Sequence, residues 1–226
     1  MAQPVSTRGV RQIPSFGFSN AYLMDLDGQG MALIDTGTRG KTQKVLDYVA
    51  SIGRKPGDVA YIILTHPDAD HSGSAAALKR AMGAKLAIGR LDAPRLSGEK
   101  KLKEIGGMML LLGVFMRVER VKPDLELKEG STIGPLTIID TPGHTDGSIS
   151  IYKPGDAIFV GDLLRGGGTG GLQLASPTMS RDMEEVKRSV EKISKLEFQM
   201  LLPGHGKPIE EGAADKLRKF VASGFR

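Results

Sequence analysis

The most constraining feature of this 226-residue sequence is only six residues long. It is His66-Pro67-Asp68-Ala69-Asp70-His71, set just behind the apolar run Val59–Leu64. A short continuous apolar run reads as a strand buried on both faces. The residues behind it therefore emerge at the end of a rigid element, where chemistry-bearing groups are commonly held. Two imidazoles and two carboxylates packed this closely repel one another or lose hydration unless a cation neutralises them.

More such groups lie elsewhere in the chain. Only four His are present, and His144 and His205 also follow apolar runs, Leu136–Asp140 and Phe198–Leu202. Asp162 likewise follows Ala157–Val160. The pattern predicts that all of them sit in turns directly after strands. Glycines flank them in Gly143-His144, Gly161-Asp162 and Gly204-His205-Gly206, and glycine lets backbone come close to a crowded centre. The absence of cysteine removes disulfides, thiolate ligands and a cysteine nucleophile together. His and Asp donors without thiolates suit zinc, manganese or iron. A structural ion would use one closed tetrahedral set; His66, Asp68, Asp70, His71, His144, Asp162 and His205 are too many for one ion and suit two that share a bridge.

The surrounding pattern gives the architecture. Ala21–Leu26 and Met31–Asp35 read as strands joined by a turn at Gly28–Gly30. A helix with Val45, Leu46 and Val49 on one face follows, then strand Val59–Leu64, a helix over Ser72–Met82 and strand Lys85–Ile88. Strands return at Leu136–Asp140, Ser148–Tyr152 and Ala157–Val160. An amphipathic helix is expected over Ser180–Lys195 with Ser180 as its N-cap, a last strand at Phe198–Leu202, and a final helix over about 210–222. Two strand-rich halves closed by helices predict an α/β fold of two stacked sheets with helices outside, in a single domain of residues 1–226. A helical insertion is expected at about 90–117.

The net charge of +5 is spread along the chain, with one small cluster at Lys100, Lys101 and Lys103. Diffuse charge of this kind serves solubility, so nucleic acid is not expected as a partner. The most apolar run, Met108–Met116, falls far short of the roughly 18 residues a spanning helix needs. The N-terminus shows no signal-peptide pattern. The expectation is a cytoplasmic protein with a small-molecule substrate and no membrane partner.

These residues resemble the metallo-β-lactamase superfamily, whose hallmark is His-x-His-x-Asp-His followed by a distant His, an Asp and a last His, on loops at one edge of a four-layer αββα sandwich. Asn20-Ala21-Tyr22-Leu23 and Ile34-Asp35-Thr36-Gly37 also look like the family's opening hairpin. The resemblance runs from about residue 18 to 210. It implies two divalent metal ions per chain: the first on His66, Asp68 and His144, the second on Asp70, His71 and His205, with Asp162 as bridge. Asp68 departs from the pattern, standing where the second His belongs. Flavodiiron proteins carry a carboxylate there, as Glu. A harder oxygen donor tilts the first site from zinc towards iron or manganese.

The resemblance further implies hydrolysis by a metal-bridging hydroxide, with Asp70 helping to move a proton. An Asp bridge looks like the glyoxalase-II-type thioesterases, lactonases and phosphodiesterases. A small ester, thioester or lactone is therefore the expected substrate, with phosphotriesters as a side activity. A di-iron redox protein and a phosphodiesterase or nuclease are the alternatives. Substrate contacts are expected from Arg165, ahead of the loop Gly166–Gly171, and from Met109 and Phe115 in the apolar insertion, which otherwise serves as core packing or a homodimer interface.

Overall fold

A computed structural model of the chain describes residues 6–7, 9–14, 16–99, 118–167 and 171–226. Two sheets stack face to face. The first has seven strands in sequential order: β1 (Ser6–Thr7), β2 (Val10–Gln12), β3 (Tyr22–Asp25), β4 (Met31–Ile34), β5 (Val59–Leu64), β6 (Lys85–Gly89) and β7 (Leu125–Leu127). Its first four strands pair antiparallel, and β4 to β7 pair parallel. The second sheet runs β12 (Leu172–Leu174), β11 (Ala157–Gly166), β10 (Ile149–Lys153), β9 (Leu136–Asp140), β8 (Thr132–Ile133), and β13 (Met200–Gly206) joins it parallel to β11.

Strand alternation sorts the apolar residues into three cores. Ile34, Ala87, Ile138, Phe159 and Leu202 face the space between the sheets. Their neighbours Leu33, Leu86 and Ile88 point to the other face of the first sheet, where they meet Val45 and Val49 of α1 (Thr42–Ser51) and Leu78 of α3 (Ala75–Met82). Ile139, Ile158 and Val160 point out of the second sheet onto Val186, Val190 and Ile193 of α5 (Met183–Ile193) and Leu217 and Phe220 of α6 (Ala213–Ala222). With both faces covered, the strands need to be apolar throughout, and the four layers are the expected αββα sandwich.

Several expectations need correction. The helix over Ser72–Met82 is two: α2 (Ala69–Ser72) and α3, broken at Gly73 and Ser74. Gly73 packs against backbone there, since a Cβ on it would lie 2.4 Å from the Arg39 nitrogen. Asp182, not Ser180, caps α5, its carboxylate accepting the N–H groups of Glu184 and Glu185 at 2.9 Å. Strands β11 and β13 run past the predicted ends of their apolar runs, so Asp162 and His205 sit within strands, and His71 lies on α2 rather than in a turn. Gly166 ends β11, and Leu172–Leu174 behind the glycine-rich loop returns as a strand. Of the expected insertion, α4 (Ala93–Leu96) is described; residues 100–117, with Met109 and Phe115, lie outside the described residues.

Candidate metal centre

One edge of the sandwich gathers every candidate ligand. His66 follows β5, His144 lies in the loop after β9, Asp162 is on β11 and His205 on β13, while Asp68, Asp70 and His71 come from the loop and turn of helix after β5. The two halves are fastened here by hydrogen bonds. The Tyr22 hydroxyl donates to the Pro203 carbonyl at 2.7 Å, the Asn20 amide side chain donates to the Pro203 and Gly206 carbonyls at 2.9 Å, and the Asn20 N–H donates to the Gly204 carbonyl at 2.7 Å.

The side chains form three overlapping groups whose donor atoms lie within 4.8 Å of one another: His66, Asp68 and His144; Asp70, His71 and His205; and His66, His71 and Asp162. In the first, Asp68 Oδ2 is 3.2 Å from His144 Nε2 and 3.8 Å from His66 Nε2. In the second, His205 Nε2 is 3.2 Å from Asp70 Oδ2 and 3.3 Å from His71 Nε2. Asp162 lies between them. Its Oδ1 is 3.2 Å from His71, and its Oδ2 is 3.3 Å from His205 and 3.8 Å from His144. The structure thus unites all seven predicted residues.

Each imidazole is held from behind through Nδ1. His71 Nδ1 faces Asp35 Oδ2 at 2.8 Å, and His205 Nδ1 donates to the Phe18 carbonyl at 2.7 Å. His144 Nδ1 meets the Ser180 hydroxyl at 3.3 Å. His66 Nδ1 meets Thr65 Oγ1 at 3.0 Å, and that hydroxyl donates to Asp35 at 2.8 Å. Partners of this kind fix tautomer and ring plane and turn Nε2 towards a cation. Nothing in the sequence marked any of these four as holding an imidazole. Asp35 belonged to the hairpin motif, and its left-handed φ of 58°, tolerated by Asp, sets its carboxylate under Thr65 and His71.

The electrostatics describe a centre that wants positive charge. Burial pulls His66 down to about 4, helped by the neighbouring His71 and His144, so it is neutral. Its buried Nε2 has no hydrogen-bond partner among the described residues, which would be costly in a protein interior. Burial opposes charge on Asp162 and Asp68 as well. Even so, His71 and His205 around the first, and His144, His66 and Arg95 around the second, hold both carboxyls below the ordinary range. Burial would lower His205, yet its hydrogen bonds to Asp162 and Asp70 raise it to about 9. Burial likewise opposes charge on His71, yet Asp162 and Asp35 raise it, so without a cation His71 and His205 carry the positive charge among the carboxylates.

A metal fits this arrangement. Nitrogen and oxygen donors about 2.1 Å from a tetrahedral ion stand about 3.4 Å from each other, close to the 3.2–3.8 Å separations found here. The orphaned His66 Nε2 supplies the missing lone pair. Backbone room is provided by Gly204, where a Cβ would lie 2.5 Å from His71 Cε1 and 2.6 Å from Asp162 Oδ1.

Comparison with known proteins agrees. The family model for the metallo-beta-lactamase superfamily matches residues 14–205. The chain belongs to this superfamily. As such it is a metallo-hydrolase, and the matched span includes all seven of the residues gathered here. Bacillus subtilis YobT is 32% identical over 197 residues, 83% of each chain. The probable metallo-hydrolase YqgX of the same organism is 30% identical over 196 residues, 83% of this chain and 85% of its own. Among solved structures, TTHA1623 in a di-iron-bound form superposes with a TM-score of 0.68 at 25% identity, covering 96% of this chain and 98% of that one.

Arg165, expected at the substrate, is exposed on β11, in register with His205 on one side and Gln173 on the other. Two exposed apolar residues that had no signal in the sequence adjoin the centre along the backbone. Phe18, whose carbonyl holds His205, is 88% exposed, and Met179, next to Ser180 that holds His144, is 42% exposed. Among the described residues, no helix is long and apolar enough to cross a membrane.

Proposed function

We propose that the chain hydrolyses small esters, thioesters or lactones at a dinuclear metal centre, with phosphotriesters as a side activity. The observation that carries this reading is the convergence of seven donors with each imidazole turned inward by its own partner. His66, Asp68 and His144 would hold one ion, Asp70, His71 and His205 the other, and Asp162 would touch both. Two divalent cations there would lower the pKa of a water and polarise the substrate's carbonyl or phosphoryl oxygen.

The chain's own residues do the rest. Burial opposes charge on Asp70, but His205, His71 and His66 hold its carboxyl below the ordinary range. It is therefore ionised near neutral pH, a quarter exposed, and able to accept a proton from the attacking water and pass it to the leaving group. Phe18, through its carbonyl, adjoins His205, and Met179 precedes the Ser180 that meets His144. Exposed apolar residues joined in this way to the anchors of a polar centre suit an organic acyl group better than a polyanion.

A panel of esters, thioesters, lactones and phosphotriesters tests the reading. Turnover of at least one carbonyl substrate, abolished by chelator and restored by zinc, manganese or iron, is expected. Phe18→Ala should raise KM for apolar acyl substrates by roughly three- to tenfold with little change in kcat. No turnover of any of the four classes by metal-loaded protein would refute the assignment. A second reading is a di-iron redox role, favoured by the carboxylate at Asp68 and by the likeness to a protein crystallised with two irons. Oxygen consumption with a reductant, in place of hydrolysis, would select it.

A further inference from the structure

Asp68 changes the first half of the centre in two ways compared with the superfamily's His. It adds a negative charge, and it brings two donor oxygens in place of one nitrogen. Only one of them, Oδ2, faces the imidazoles of His144 and His66. The other, Oδ1, lies 3.4 Å from Nη2 of Arg95. Arg95 sits on α4, and its side chain is only 11% exposed. Its Nη1 lies 3.3 Å from Oδ1 of Asp92, which is fully buried.

Asp92 is itself tied to the first half of the centre. Its Oδ2 accepts a hydrogen bond from the hydroxyl of Thr145, the residue after His144. That hydroxyl also meets Ser148 Oγ at 2.7 Å. Gly147 lets this loop close over Asp92, since a Cβ there would come within 2.4 Å of the Asp92 nitrogen. Asp68 and His144 are thus linked through Arg95, Asp92 and Thr145. A buried ionic chain of this kind is a weak source of stability. It does supply a fixed positive charge and an oriented donor beside a carboxylate.

We propose that Arg95 is a positioning residue for the first metal site, a reading that rests on the dinuclear assignment above. Its guanidinium, held by Asp92, occupies Oδ1 of Asp68, leaves Oδ2 as the single donor shared with His66 and His144, and offsets the charge that Asp brings in place of His. Arg95 and Asp68 then act as a unit. The guanidinium matters because a carboxylate stands there, and it would matter little to an imidazole.

The test is a titration of the metal-free full-length protein with Zn2+ and Mn2+ against a competing chelator. It compares wild type, Arg95→Met, Arg95→Lys, Asp68→His, and both Arg95 variants in the Asp68→His background. Wild type should take up two ions. Arg95→Met should weaken one of them by about 10- to 100-fold, the effect usual for a partner of a ligand, and leave the other unchanged. Arg95→Lys should recover part of the loss, since it keeps the charge but not the fork. In the Asp68→His background the same changes should leave both affinities unaltered. Wild-type affinity in Arg95→Met, or an equal loss in both backgrounds, would overturn the proposal. If circular dichroism shows Arg95→Met to be unfolded, the Arg95→Lys pair decides by the same comparison. Failure of the wild type to bind either metal would instead overturn the dinuclear assignment.

Discussion

Asp35 illustrates how much of the centre's function is decided one atom behind it. It accepts from the Thr65 N–H at 2.8 Å and from the Thr65 hydroxyl, and it faces His71 Nδ1. Through Thr65 it also orders His66. Asp35→Asn removes no proposed ligand, yet it should weaken metal binding by about 10- to 100-fold, as read by chelator competition. Gly204→Ala should do more, because its Cβ would sit 2.5 Å from His71 Cε1; metal content per chain should fall while the far-ultraviolet spectrum persists. The seven residues that converge were legible in the sequence because His is scarce and the crowding of His66 to His71 calls for a cation. Their anchors were not. Thr65 and Ser180 are common residue types and the Phe18 carbonyl is backbone, and Phe18 reaches His205 across 187 residues of chain. Arg95 was equally silent, since its meaning depends on the approach of α4 to a loop 27 residues away.

At the scale of elements, the start of α5 supports the His144 loop. The Gly143 carbonyl accepts from the Arg181 and Asp182 N–H groups, and Gly143 itself, at φ +126°, comes so near Val186 that a Cβ would lie 2.4 Å from its nitrogen. Loss of the cap in Asp182→Ala should cost about 1 kcal/mol, seen as a lower urea midpoint at unchanged slope. The buried strands and most helices were predicted within a few residues because their apolar runs are continuous or periodic. The errors fall where glycine and proline read as punctuation. β11 continues through Gly161 with register shifts on either side of it, and β13 continues through Pro203 and Gly204. Bulged strands tolerate such residues, but only the partner strand reveals the bulge.

For the whole molecule, the two sheets meet at the centre, so its charge state bears on stability. In the metal-free chain His205 is raised from 6.5 to about 9. Its ion pairs with Asp162 and Asp70 therefore stabilise the fold fully below about pH 6.5 and lose that effect as pH climbs through 9. Asp162, held well below 3.8, contributes above that value and loses its effect in acid. Metal must displace the imidazole protons, so loading at pH 7 should release protons, measurable by calorimetry in buffers of different ionisation enthalpy. The gain in Tm on loading should grow between pH 6.5 and 9. A gain that shrinks over that range would contradict the assignment of His205 as a ligand. The four-layer architecture was legible from alternating and continuous apolar runs; β1, β2, β7, β8 and β12 were not, because each is only two or three residues long.

The most direct measurement is the number of metal ions per chain, by elemental analysis of protein purified without chelator and again after reconstitution with zinc, manganese or iron. Two ions per chain are expected, falling in Asp162→Ala, whose carboxylate contacts both halves of the centre. No bound metal even after reconstitution would contradict the dinuclear centre.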